Sequence, residues 1–204
     1  MKKIKLQEFR AKEAKKLLED LETLDMGGAD GWLISQAINP EKVTVIDLDK
    51  KALEKNPSKK KIYGDLIKNN IKDNSFSQIT LFEVIEHIPN PEDRIKIFTK
   101  ANKILKKGGK LILSTPNYER FSTQLRKIIK KNRKYPYPVA GGKGVPYTDW
   151  HYFEYSERTI KEDLKKAGFN KIKTYCKFIQ IPFFQNFFDI KSKYGLVLYV
   201  VAKK

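Results

Sequence analysis

An apolar run at residues 24 to 26 breaks into a glycine-rich turn at Gly27, Gly28 and Gly31, and a helical segment follows. Twenty residues after Gly27, a second apolar run, 43 to 46, ends in Asp47. A buried strand, a tight turn at a helix N-terminus and an acid at the end of the next strand together form a nucleoside site in an open parallel sheet. Glycines let backbone N–H groups approach a ligand that a Cβ would exclude. The helix N-terminus favours a negative group such as a carboxylate. The Asp47 carboxylate can accept hydrogen bonds from ribose hydroxyls. A dinucleotide site needs Gly-x-Gly-x-x-Gly, and the order here is Gly27, Gly28, Ala29, Asp30, Gly31. Ala29 suits such a turn only if its backbone needs no positive φ.

The rest of the chain alternates strands and helices. Residues 3 to 21 read as an amphipathic helix with Leu6, Phe9, Leu17 and Leu21 on one stripe. Strands follow at 23 to 26, 43 to 47, 61 to 63, 77 to 82 and 110 to 114, with helices at 31 to 37, 50 to 55 and 91 to 105. Pro91 opens the last of these, and Lys107, Gly108 and Gly109 read as its C-cap. Ile95, Phe98, Ala101 and Leu105 form its inner stripe. This rhythm predicts an α/β fold, a parallel sheet covered on both faces, with its ligand at the carboxyl ends of the strands. From 118 to 155 the pattern becomes rich in Pro and Gly, as in a substrate-side insertion or lid. Ser156 caps a helix, a sixth strand spans 171 to 179, and an apolar final strand spans 195 to 203. No internal repeat or second domain is read, so 1–204 is expected to be one domain.

Composition limits the partners. The net charge is +18, yet only six of the 42 basic residues are Arg. Phosphate and base-edge recognition tends to use arginine forks, so a nucleic-acid partner is open but not favoured. The single Cys176 excludes an intramolecular disulfide and a cysteine-based zinc cluster, and no metal is assigned. No run is long enough to span a membrane and no signal core follows the basic N-terminus, so the expected location is cytoplasmic.

Several segments together resemble one family. Asp25, Gly27 and Gly31 match motif I of class I S-adenosylmethionine-dependent methyltransferases, with Ala29 where a glycine usually stands. Residues 45 to 53 are similar to the post-I motif, which gives Asp47 the ribose position; Asp49 lies beyond the strand end. Gly64, Asp65 and Leu66 resemble the segment whose acid meets the adenine amino group. Residues 75 to 88 and 105 to 117 resemble the fourth- and fifth-strand blocks of the type 11 and 12 enzymes, and Ala167, Gly168 and Phe169 are also typical. The resemblance implies a Rossmann-like, doubly wound, mostly parallel seven-stranded sheet of order 3-2-1-4-5-7-6, its last strand antiparallel, with helices on both faces. It implies S-adenosyl-L-methionine as cofactor, held by Asp25, Gly27, Gly28, Gly31, Asp47, Leu48, Asp65, Leu66, Phe82 and Glu83.

His87 follows the fourth strand and is the candidate base, with a loop-capping role as the rival reading. Glu83 is expected to shape the methionine end, and Glu86 to be solvated or salt-bridged. His151, Asn117 and Tyr118 are the candidate acceptor contacts. Residues 126 to 134 carry six basic groups beside Tyr135 and Tyr137, which suits either an anionic acceptor or a wet helix face. The aromatic stretch 178 to 190 reads first as core, with a homodimer contact or an acyl pocket as alternatives. The expected function is methyl transfer to an O, N or C nucleophile on a small or medium-sized metabolite. The alternatives are an RNA or ribosome methyltransferase and a non-catalytic cofactor-binding module.

Overall fold

Short β-branched runs and amphipathic stretches settle into the alternation their spacing predicts. The computed structural model describes residues 6–130, 134–138, 150–180 and 187–204. In chain order the elements are α1 (Leu6–Leu17), β1 (Thr23–Met26), α2 (Trp32–Ser35), β2 (Val43–Asp47), α3 (Lys50–Lys55) and β3 (Lys60–Tyr63). Next come β4 (Phe76–Phe82), α4 (Pro91–Ile104), β5 (Leu105–Pro116), α5 (Phe121–Ile128), β6 (Tyr137–Pro138) and β7 (Trp150–His151). The chain continues through α6 (Glu157–Lys166), β8 (Lys171–Gln180), β9 (Phe187–Lys191) and β10 (Val197–Lys203).

The main sheet runs β3-β2-β1-β4-β5-β10-β8-β9. Strands β3, β2, β1, β4 and β5 are mutually parallel, and β10 is antiparallel to both β5 and β8. Seven of these strands keep the expected order. The eighth, β9, extends the sheet by pairing antiparallel with β8, so the sheet has eight strands and not seven. Its residues come from the aromatic stretch, in which Phe187 and Phe188 pair with Gln180 and Ile179 along the ladder. Phe178 of the same stretch is fully buried, whereas Phe183 and Phe184 lie outside the described residues.

The core forms on both faces. Leu24, Met26, Ile79, Leu81, Phe98, Leu111, Leu113, Phe169 and Leu198 belong to the larger cluster, under α4 and α6. Ala14, Leu18, Ile34, Ile38, Val43 and Ile112 form the opposite one, under α1 and α2. Each fully buried side chain of this kind contributes roughly 1.5–3 kcal/mol relative to exposure. The inner stripe of α4 is Ile97, Phe98, Ala101 and Ile104, with Arg94 beside it; Ile95 is only half-buried. Arg94 reaches that position because its guanidinium donates to the Ile88 and Pro89 carbonyls at 2.7 and 3.2 Å and lies 4.5 Å over the Phe153 ring.

Two expected boundaries move. Lys107, Gly108 and Gly109 do not cap α4; they belong to β5, where the register jumps from Phe76↔Leu105 to Gln78↔Lys110. Gly108 takes φ +78° within that bulge. α1 ends at Leu17, and Leu21 is 37% exposed, off the expected stripe.

Candidate active site

The turn after β1 is built from three glycines and one alanine. A Cβ on Gly27 would lie 2.5 Å from Val84 Cγ2, and one on Gly28 would lie 2.2 Å from Asp25 Oδ2. Both gaps would have to open before any side chain could fit. Ala29 adopts φ +43°, so the condition under which an alanine suits the turn is not met. Two partners hold it there. Its N–H donates to Asp47 Oδ2 at 2.8 Å, and its carbonyl accepts from Asn56 Nδ2 at 2.8 Å. The helix that follows, α2, has only four residues, so the expected helix-dipole contribution is weak.

Asp25 lies beneath the turn rather than on its open side. It is 4% exposed, and Thr80 Oγ1 donates to its Oδ1 at 2.6 Å. Burial pushes its pKa up to about 6, the Thr80 bond pulls it down, and the nearby Asp47 charge raises it further. The expected contact between Asp25 and cofactor is therefore corrected to support of the loop from below. Asp47 ends β2 with its carboxylate partly open. Oδ1 accepts from the Asp49 N–H at 2.8 Å, and each oxygen keeps a lone pair for a second donor. Asp49 itself caps α3 by accepting from the Ala52 N–H at 3.0 Å.

Leu48, 62% exposed, follows at the strand exit. Asp65 closes the turn after β3, where its Oδ1 accepts from Ile67 and Lys68 N–H groups at 2.7 and 3.0 Å. Two expected contacts point elsewhere. The Leu66 side chain joins the larger core cluster, and Phe82 packs against the opposite one, so only their backbones stay on the cleft side. What remains at the carboxyl ends of β1 to β3 is a glycine turn packed too closely on Val84 and Asp25 to admit a Cβ, a carboxylate suited to a diol, an exposed apolar side chain and a second acid. These residues fit an adenosyl group, the more so because ligands of such sheets bind at this edge.

At the ends of β4 and β5 lies a cavity of 370 Å³, lined among others by Arg10, Glu83, Glu86, His87, His151 and Glu154. Glu83, at φ +54°, is clamped: Arg10 donates to Oε2 at 2.6 Å and Ser114 Oγ donates to Oε1 at 2.7 Å. Glu86 is fully buried and, among the described residues, neither solvated nor salt-bridged, contrary to expectation. Burial and the neighbouring Glu83 charge raise its pKa well above the usual carboxylate range. His87 Nδ1 lies 3.0 Å from the Trp150 carbonyl, and the His87 and His151 rings meet edge-on with centroids 5.1 Å apart. A larger cavity of 470 Å³ lies at the opposite end of the sheet, beside Gly108 and several lysines, away from all of these groups.

His151 belongs to a second network. Its Nδ1 lies 3.0 Å from Tyr137 Oη and 3.4 Å from Glu154 Oε1. Glu154 accepts from Arg120 at 2.6 Å, from Tyr135 at 2.7 Å and also from Tyr137. Burial works against its charge, but the His151, Arg120 and Tyr137 hydrogen bonds hold its pKa at about 2. The two remaining acceptor candidates are placed differently. Asn117 is fully buried, and its amide is used up: Nδ2 donates to the Lys193 and Gly195 carbonyls while Oδ1 accepts from the Glu119 N–H. It staples β5 to the turn before β10 and is not an acceptor contact. Tyr118 lies under the Lys127 ammonium at 4.5 Å and does not line the cavity. Of the expected insertion at 118 to 155, residues 131–133 and 139–149 lie outside the described residues, and with them Lys131 and Arg133 of the basic stretch.

Residues 3–174 match the family model described as "Methyltransferase domain". The chain belongs to this methyltransferase family. No curated protein matches the chain. Among solved structures, a Thermotoga maritima S-adenosylmethionine-dependent methyltransferase, described as a possible histamine N-methyltransferase, superposes with TM-score 0.72 at 18% identity, covering 97% of this chain and 89% of that one. S-adenosylmethionine-dependent methyltransferases from Archaeoglobus fulgidus (TM-score 0.65, 14% identity, 97% and 94% covered) and Methanosarcina mazei (0.64, 18%, 92% and 94%) share the fold. The methyltransferase uses S-adenosylmethionine, as its family and the glycine turn after β1 agree. No helix among the described residues of the methyltransferase is long and apolar enough to cross a membrane.

Arg10, Arg120 and Glu154 are site residues that the sequence reading missed. One signal was available. In a chain with few arginines, Arg10, Arg94 and Arg120 are all drawn inward to carboxylates or carbonyls.

Proposed function

We propose that this methyltransferase acts on an O, N or C nucleophile of a small or medium-sized metabolite seated in the cavity between Glu83, His87 and His151. One observation carries the reading: a 370 Å³ cavity at the carboxyl ends of β4 and β5, bordered by two imidazoles. That volume suits a small molecule. When bound, the cofactor supplies an electrophilic methyl group on a sulfonium. The Gly27–Gly28 backbone would approach it closely, Asp47 would hold its ribose hydroxyls, and Leu48 and Asp65 would flank its adenine. Asp25 supports the turn from below. Glu83, fixed by Arg10 and Ser114, shapes the floor where cofactor and acceptor meet. The acceptor's lone pair takes the methyl, and its proton, where it has one, leaves on the side lined by His87 and His151. Arg10 and Arg120 are each paired with a carboxylate, so an anionic acceptor is not required.

The test is a turnover screen with labelled S-adenosylmethionine against panels of phenols, amines, carboxylic acids and structured RNA, combined with calorimetric titration of S-adenosylhomocysteine. Labelling of a metabolite class supports the reading. Labelling of RNA alone overturns the acceptor class, and failure to bind S-adenosylhomocysteine overturns the site.

A further inference from the structure

Glu86 is 0% exposed, and only one of its oxygens has a hydrogen-bond partner among the described residues. Thr115 Oγ1 donates to Oε2 at 3.0 Å, and Oε1 has none. A bare buried carboxylate oxygen is costly unless a proton or a cation meets it. Two imidazoles stand beside it. One ligand atom from each of Glu86, His87 and His151 lies within 4.8 Å of the other two. Metal bonds of about 2.0–2.2 Å at tetrahedral angles separate ligand atoms by roughly 3.3–3.6 Å, so side-chain shifts of up to about an ångström close the set.

The tautomers fit as well. The Trp150 carbonyl can only accept, so the His87 Nδ1 facing it carries the proton and the lone pair sits on Nε2. His151 Nδ1 faces the ionised Glu154 carboxylate and the Tyr137 hydroxyl that donates to it, so it too is a donor. A carbonyl or carboxylate behind each imidazole, fixing its orientation and raising its basicity, is how metal-bound histidines are held.

We propose that Glu86, His87 and His151 together bind one divalent transition-metal cation at the edge of the acceptor cavity. Two imidazoles and one carboxylate favour Mn²⁺, Fe²⁺, Co²⁺ or Zn²⁺ over Mg²⁺ or Ca²⁺. Three protein ligands leave coordination positions open toward the cavity, where a water or an acceptor oxygen can enter. His87 is then a ligand and not a lone base. Only this last consequence rests on the proposed methyl transfer; ion binding itself needs neither cofactor nor acceptor.

The experiment uses the whole chain, stripped with a chelator and titrated with Co²⁺ by calorimetry and visible absorption. The expected result is one Co²⁺ per chain with the absorption bands of an imidazole-ligated ion. Glu86→Gln, isosteric and uncharged, and His151→Asn should each weaken Co²⁺ binding by at least roughly 10–100-fold. Should Glu86→Gln fail to fold by circular dichroism, His151→Asn and the wild-type spectrum decide the matter. No stoichiometric binding by the wild type, or folded variants that bind Co²⁺ as tightly, overturns the assignment. A parallel S-adenosylhomocysteine titration in chelator separates this failure from failure of the cofactor site.

Discussion

Ala29 holds φ at +43° between two hydrogen bonds, one from its N–H to Asp47 and one to its carbonyl from Asn56. The left-handed region costs an L-residue about 1–2 kcal/mol, and part of any gain from glycine is lost to the freer unfolded chain. Ala29→Gly should therefore raise the unfolding free energy by up to about 1 kcal/mol, read from urea unfolding. A variant less stable than the parent would show that no strain resides there. Asp47→Ala should remove cofactor affinity, as a flat S-adenosylhomocysteine titration. It should also cost about 0.5–1.5 kcal/mol of stability, because the exposed backbone N–H groups of Ala29 and Asp49 both lose their acceptor to water. Asp25 gives a pH signature. Burial raises its folded-state pKa to about 6, above the unfolded value of about 3.9, so the folded protein binds the proton more tightly. Its contribution is full below about pH 4 and disappears as pH rises through 6. Asp25→Asn should flatten that part of the stability–pH curve, measured by thermal unfolding at stepped pH.

The strands were the most legible elements, because parallel strands buried on both faces read as continuous apolar runs. β2 and α3 have their expected limits, and the sheet keeps its expected order up to the last strand. β9 was hidden because its aromatic residues suggest core as readily as strand. The catalytic side was legible only in part. Glu83 and His87 stand out by type and by position in the fourth-strand block, and His151 by type and by its place before the capped helix. Arg120 and Glu154, by contrast, stand 34 positions apart in the sequence, a separation that no period reveals. Glu154 is the hub that ties β6 and β7 to the end of β5. Glu154→Ala leaves Arg120 buried and without its carboxylate, so it should cost about 3–5 kcal/mol, read from the unfolding midpoint. Its pKa, held at about 2, lies below the unfolded value, so its contribution is present above about pH 4.5 and lost as pH falls toward 2.

At the scale of the whole molecule, the charge of +18 is carried mostly by exposed lysines, and the buried arginines are engaged internally. Any affinity for RNA should then be weak and should fall steeply with salt, as measured by filter binding between low and physiological ionic strength. S-adenosylhomocysteine at about 100 times its Kd should raise the unfolding free energy by about 2.7 kcal/mol, provided it binds the folded protein alone. The sheet's connectivity has one more consequence. β10 lies between β5 and β8, although both precede it in the chain. On a ribosome, the half bearing the glycine turn emerges while a slot beside β5 still stands vacant. Leu196 and Val197, which wall the acceptor cavity, arrive only when that slot is filled. A nascent chain would thus acquire the means to hold its methyl donor before it can enclose anything to methylate.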